Sequence, residues 1–111
     1  MYVKTVSFAV RTLELLENIL DRMENVEALD DLDMDLVDGV LKVESVDGRQ
    51  IIINRQEPLE QVWMASPLGP AHFYYEENRG EWLDERTGVP LIESLEAALG
   101  LTVGSEVRLQ D

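Results

Sequence analysis

The chain has no cysteine. That excludes disulfides, thiolate metal sites and cysteine nucleophiles. It has one histidine, His72, so no histidine cluster can hold a metal. Lys and Arg together number 9 against 23 Asp and Glu, leaving a net charge of −14. Nucleic-acid binding rests on neutralising phosphates with Lys and Arg, so it is excluded as a function class. No apolar run approaches the roughly 18 residues of a membrane span. The start, MYVKTVSFAV, lacks the apolar stretch and cleavage site of a secretory signal. The expectation is a soluble, cytoplasmic chain with no nucleic-acid or membrane partner. The motifs G-x-x-x-x-G-K-[ST], G-x-S-x-G and H-E-x-x-H are all missing. No carboxylate stands isolated in apolar sequence as a raised-pKa general acid would.

What is present is enough for one core. The 111 residues are 45% hydrophobic, which predicts a single folded domain over residues 1–111. Val6, Val10, Leu13, Leu16, Leu20 and Met23 recur at three- and four-residue steps, predicting a helix over about 4–26 with these residues as its apolar stripe. At Leu32 the period changes to two. Leu32, Met34 and Leu36 alternate with Asp31, Asp33 and Asp35, as in a half-buried strand. Asp38-Gly39 and Asp47-Gly48 are hairpin signals. VLKVESV, RQIIINRQ, EQVWMAS, AHFYYEE and EWLDE read as further strands, with turns at Pro67–Pro70 and Asn78–Gly80. PLIESLEAAL reads as a second helix ended by Gly100, and TVGSEVRL as an extended tail. The predicted fold is α+β: a two-layer α/β sandwich. Its antiparallel sheet of five to six strands is covered on one face by an N-terminal and a C-terminal helix.

Charge is concentrated at one place. Glu14, Glu17, Asp21, Glu24, Glu27, Asp30, Asp31, Asp33, Asp35 and Asp38 meet only one base, Arg22, over the same stretch. Like charges three and four residues apart on a helix cost about 0.2–0.5 kcal/mol per pair. Acids near a helix C-terminus cost about 0.3–1 kcal/mol each. One surface collects these penalties, which suggests that it attracts something positive. The stretch is not an EF-hand. Counted from Asp31, Leu36 stands where Gly is needed and Lys42 where a chelating Glu is needed. Hard oxygens spread along a strand suit weak, exposed, multi-site binding of ions such as Fe²⁺, Mn²⁺ or Ca²⁺. On the sheet, Trp63 alternates with Val62 and Met64. If those two face the helices, Trp63 faces solvent near Asn54 and Gln56, as an interaction anchor would.

The segment IIINRQEPLEQVWMASPLGPAHFYYEENRGEWLDERTG resembles the central sheet of the frataxin family. INRQEP, QVW, the SP-x-GP turn, and EW followed by RTG lie in the family's order and spacing. The resemblance is specific from about Val40 to Gly88. Near the start of the first helix the family's Ala-Asp is replaced by Ala9-Val10, so the acidic ridge is taken from Glu14. The resemblance implies a regulatory protein of iron–sulfur cluster assembly that binds iron (Fe²⁺/Fe³⁺) weakly and docks on the cysteine desulfurase and scaffold complex. Carried over residue by residue, the iron ridge is Glu14, Glu17, Asp21, Glu24, Glu27, Asp30, Asp31, Asp33 and Asp35. The sheet contacts are Asn54, Gln56, Trp63 and His72. A monomer is implied, with oligomerisation on iron left open, and a mitochondrial matrix location if the chain is a processed eukaryotic form. Two alternatives stay open: a ferroxidase or iron-storage protein, and an acidic interaction domain without an iron role.

Overall fold

The computed structural model describes residues 6–110. Residue 4, where the first helix is expected to start, lies outside them. Helix α1 spans Phe8–Glu24, and its start is set by Ser7, whose hydroxyl accepts from the Val10 amide at 3.2 Å. A 3₁₀ turn at Glu27–Leu29 drops Leu29 into the core. Six strands follow: β1 (Asp33–Val37), β2 (Val40–Glu44), β3 (Gln50–Gln56), β4 (Gln61–Ser66), β5 (Gly69–Glu76) and β6 (Glu81–Asp84). They form one sheet in sequence order, every pair antiparallel. Helix α2 (Leu91–Val103) closes the fold. The two-layer α+β expectation holds, with the sheet at its upper count. Among the described residues no helix is long and apolar enough to cross a membrane.

Alternation decides which sheet face is covered. Leu41, Val43, Ile51, Ile53, Val62, Met64 and Phe73 point inward and are buried against Leu16, Ile19 and Met23 of α1 and Leu91, Leu95 and Leu99 of α2. The tail packs here too. Val107 and Leu109 are buried, and the Leu109 amide donates to Glu96 Oε2 at 2.7 Å. The first hairpin turns on Asp38 and Gly39, both at positive φ (52° and 77°), between the paired Val37 and Val40. Such a two-residue loop matches the twist of its strands, and Asp-Gly supplies the conformation at least cost. The far edge of the sheet is sealed: Asp84 N–H donates to the Val89 carbonyl at 2.9 Å, and Leu83 bridges to Pro90.

Three expectations are corrected. The buried stripe of α1 is Thr12, Leu16, Ile19 and Met23, with Phe8, Leu15 and Leu20 packed beside it. Of the expected stripe, Leu16, Leu20 and Met23 face the core, while Val6, Val10 and Leu13 are exposed. Before Leu16 both courses have helical spacing, and the polar Thr12 in the buried one disguises it. Its hydroxyl is satisfied by the Ala9 carbonyl at 3.0 Å. Second, α2 continues through Gly100, and the left-handed cap is Gly104. A Cβ at Gly100 would lie 3.1 Å from the Ser105 carbonyl oxygen, so Gly there permits the tail's close approach. Third, only Pro67 and Leu68 form the β4–β5 turn, and Gly69 and Pro70 belong to β5. Strand β6 pairs only from Phe73 onward, so no strand needs the hydrogen-bond donor that Pro70 lacks.

Candidate functional site

The nine acids of the expected ridge are all exposed. Glu14, Glu17, Asp21 and Glu24 share the α1 face turned away from the core, because the buried stripe runs on the opposite side. Glu27, Asp30 and Asp31 follow round the 3₁₀ turn. On β1, Met34 and Leu36 pair with buried Val43 and Leu41 on the inner face. Asp33 and Asp35 therefore point to the open face, the side away from the helices. The ridge is thus not one plane: it wraps the β1 edge from the helix layer onto the open sheet.

Lys42 lies across from Asp35 and Glu44 across from Asp33. With Met34 they line a shallow depression of about 300 Å³. Lys42 pairs with Glu44 at 3.9 Å. The pairs made by Arg11, Arg49, Arg55, Arg79 and Arg108 go to Glu77, Asp47, Glu57, Glu81 and Glu106, all outside the ridge. Among the described residues no three His, Cys, Asp or Glu side chains converge on a point that would hold an ion. The exposed carboxylates of the ridge are hard oxygen donors that stand apart along the surface.

The open face carries the second set. Register puts Asn54 beside Trp63 and Trp63 beside His72, one row across three strands. Gln56 lies one pair along, across from Gln61. All four sheet residues expected to meet a partner are thus brought together. Trp63 is not the fully open anchor expected. It is half-buried because its ring stacks on His72, with centroids 4.1 Å apart and planes at 11°. Its Nε1 donates to Gln61 Oε1 at 2.8 Å, and Gln61 Nε2 donates to Glu85 Oε1 at 3.1 Å. His72 Nδ1 lies 3.2 Å from Glu85 Oε2, and the Glu85 amide donates to the His72 carbonyl at 2.9 Å. Trp63, Gln61, Glu85 and His72 close a ring of contacts that fixes the indole orientation. Gln61 and Glu85 are absent from the residues chosen from sequence. Gln61 was accessible, since it stands two positions before Trp63 on the same face. Glu85 was not, because it meets His72 only through the β5–β6 register.

The two surfaces are neighbours. Strands β1 and β4 are three spacings apart, about 14 Å, on the same sheet face. Asp33 and Asp35 stand at one side of that face and Trp63 towards the other, with Val40, Lys42 and Ile52 between them.

An acidic helix and edge strand beside an open six-stranded sheet define an α/β sandwich with one uncovered, mixed polar and apolar face. The model of the frataxin-like domain matches residues 3–105, and the chain belongs to this family. It is 47% identical over 104 residues to the protein named iron-sulfur cluster assembly protein CyaY of Thioalkalivibrio sulfidiphilus, covering 94% of this chain and 97% of that one. Its fold is similar to that of frataxin from Psychromonas ingrahamii, with a TM-score of 0.82 at 31% identity over 94% of this chain and 95% of that one. A trimeric frataxin of the yeast Saccharomyces cerevisiae, complexed with ferrous iron, matches at a TM-score of 0.74 and 30% identity, covering 95% of this chain and 94% of that chain.

Proposed function

We propose that the chain is an iron-binding regulatory protein of iron–sulfur cluster assembly that docks on the cysteine desulfurase and scaffold complex and modulates sulfur transfer. The observation that carries this reading is one surface running from Glu14 on α1, round Asp30 and Asp31, to Asp33 and Asp35 on the same sheet face as Trp63. A partner that wraps the β1 edge reaches Asp30, Asp31, Asp33 and Asp35 together with the Trp63 face. The ridge attracts a basic surface and raises its encounter rate. The preoriented Trp63, with Asn54, Gln56 and His72 beside it, supplies a contact that loses little freedom on binding.

Iron is the ridge's cargo in this reading. Glu14, Glu17, Asp21, Glu24, Glu27, Asp30, Asp31, Asp33 and Asp35 offer hard oxygen donors to Fe²⁺ singly or in twos, so ions bind weakly and exchange readily. The relative named for iron–sulfur cluster assembly and the ferrous complex of yeast frataxin both support the assignment. Its bacterial relatives, named as iron–sulfur cluster assembly proteins, favour the bacterial cytoplasm as the setting in this reading. The test is anaerobic titration of labelled protein with Fe²⁺, followed by NMR. Amides around Asp21, Glu24, Asp31 and Asp33 should broaden first. Broadening centred on His72 and absent from α1 would overturn the ridge assignment.

A further inference from the structure

Val6, Val10 and Leu13 are 49%, 48% and 45% exposed. Single exposed apolar residues are ordinary, but a run of adjacent ones rimmed by charge marks a contact surface. Val10 and Leu13 are three residues apart on α1, so they form one strip near its start, whereas Val6 precedes the Ser7 cap and lines a hollow with Arg11, Leu15 and Tyr75. Val10 and Leu13 do not serve the core, because α1 already buries a complete stripe on its other side. The strip leads directly into the ridge. Glu14 lies four residues beyond Val10, and Glu17 four beyond Leu13. The first turn of α1 holds no acid, although the helix dipole favours acids there.

We infer that the outward face of α1 is a two-part docking surface whose occupant is a protein presenting an apolar contact beside a Lys/Arg cluster. The inference rests on the ridge reading above and adds a second component to it. Charge selects the occupant. At a net charge of −14 a second copy of this chain would set ridge against ridge, and an anionic membrane would be repelled. A basic protein surface is attracted. The arrangement also gives the complex a direction: cations lie over Glu17, Asp21 and Glu24, and apolar groups over Val10 and Leu13. The two components respond differently to salt. The charged one is screened, with a Debye length of about 3 Å at 1 M, while apolar burial persists.

The test measures affinity for a purified cysteine desulfurase–scaffold complex across a salt series. It compares the parent, the pair Val10→Ser with Leu13→Ser, the pair Val10→Ile with Leu13→Met, and the pair Asp31→Lys with Asp33→Lys. Circular dichroism checks that each is folded. The serine pair should bind at least about tenfold more weakly at every salt concentration, with the parent's salt dependence unchanged. The Ile/Met pair should bind like the parent, which separates apolar contact from general disturbance of the helix. The lysine pair should flatten the salt dependence. If the serine pair binds like the parent while the lysine pair is weakened, the apolar strip plays no part and the ridge reading alone survives. If the parent does not bind, the ridge reading falls and this inference with it. A parent dimer in sedimentation that the serine pair abolishes would show that the occupant is a second copy and the stated partner is wrong.

Discussion

Replacing Glu24 by lysine should stabilise the protein. Glu24 is the last residue of α1 and is exposed. Its carboxylate stands where the unpaired carbonyls of the helix end already gather negative charge, at a cost of about 0.3–1 kcal/mol. Asp21, one turn back, adds a like-charge penalty of about 0.2–0.5 kcal/mol. Lysine removes both and replaces them with attractions of similar size. Solvent screening at so open a position trims the sum, so the expected gain is roughly 1 kcal/mol. Glu and Lys have nearly equal helix propensity, which leaves electrostatics as the cause. For a chain of this length, about 1 kcal/mol raises Tm by about 4 °C. The assay is thermal unfolding followed by circular dichroism at low salt and again at about 0.5 M NaCl, where the screening length falls to a few Å. The gain should shrink at high salt. A fall in Tm at low salt would show that Glu24 stabilises the native fold, and a gain indifferent to salt would show that charge is not its origin.

Other outcomes follow from the same geometry. Ile19→Ala, in the fully buried stripe, should cost about 2–5 kcal/mol of stability, whereas Val10→Ser should change it by no more than about 0.5 kcal/mol; denaturant unfolding of the two checks which α1 stripe is the core. Trp63→Ala should weaken binding to the desulfurase–scaffold complex by about 2 kcal/mol and leave Fe²⁺ affinity unchanged, since indole is no ligand for a hard cation; calorimetry with each ligand reads this. Gln61→Ala frees the Trp63 indole from its hydrogen bond and should give a smaller loss in the same assay. The Ser45 hydroxyl bonds the Asp47 carboxylate and, with Arg49, holds it below its ordinary 3.8. A depressed carboxyl contributes stability that is present above its unfolded pKa and lost as pH falls through the folded one. Ser45→Ala should therefore raise the Asp47 pKa in a carbon-detected NMR titration and reduce the loss of stability on acidification below about pH 4.

Much of this was legible in sequence because β-structure announces itself by period two. The alternation in DLDMDLV placed Asp33 and Asp35 opposite Met34 and Leu36 before any register was known, and the close spacing of turn signals implied an antiparallel meander. The helices were harder. In α1 the expected stripe was right from Leu16 to Met23, but before Leu16 it followed Val10 and Leu13, because the buried position there is the polar Thr12. Only the position of the sheet decides between them. At the end of α2, Gly100 reads as a stop, yet it serves a tail contact five residues on in sequence. The Trp63 row was half legible: Asn54, Gln56 and His72 follow from strand parity, but the ring through Gln61 to Glu85 needs the pairing of three strands. Charge density showed the acidic ridge. That it turns the β1 edge, so that Asp33 and Asp35 share a face with Trp63, is a property of the fold.

The most direct test of that shared surface is an NMR map of labelled protein titrated with the purified cysteine desulfurase–scaffold complex. The account predicts that Glu17, Asp21, Asp31, Asp33 and Asp35 lose intensity at the same partner concentrations as Asn54, Gln56, Trp63 and His72, while α2 and residues 105–110 are spared. Intensity loss confined to α2 and the tail, with the ridge and the Trp63 row unchanged, would contradict it.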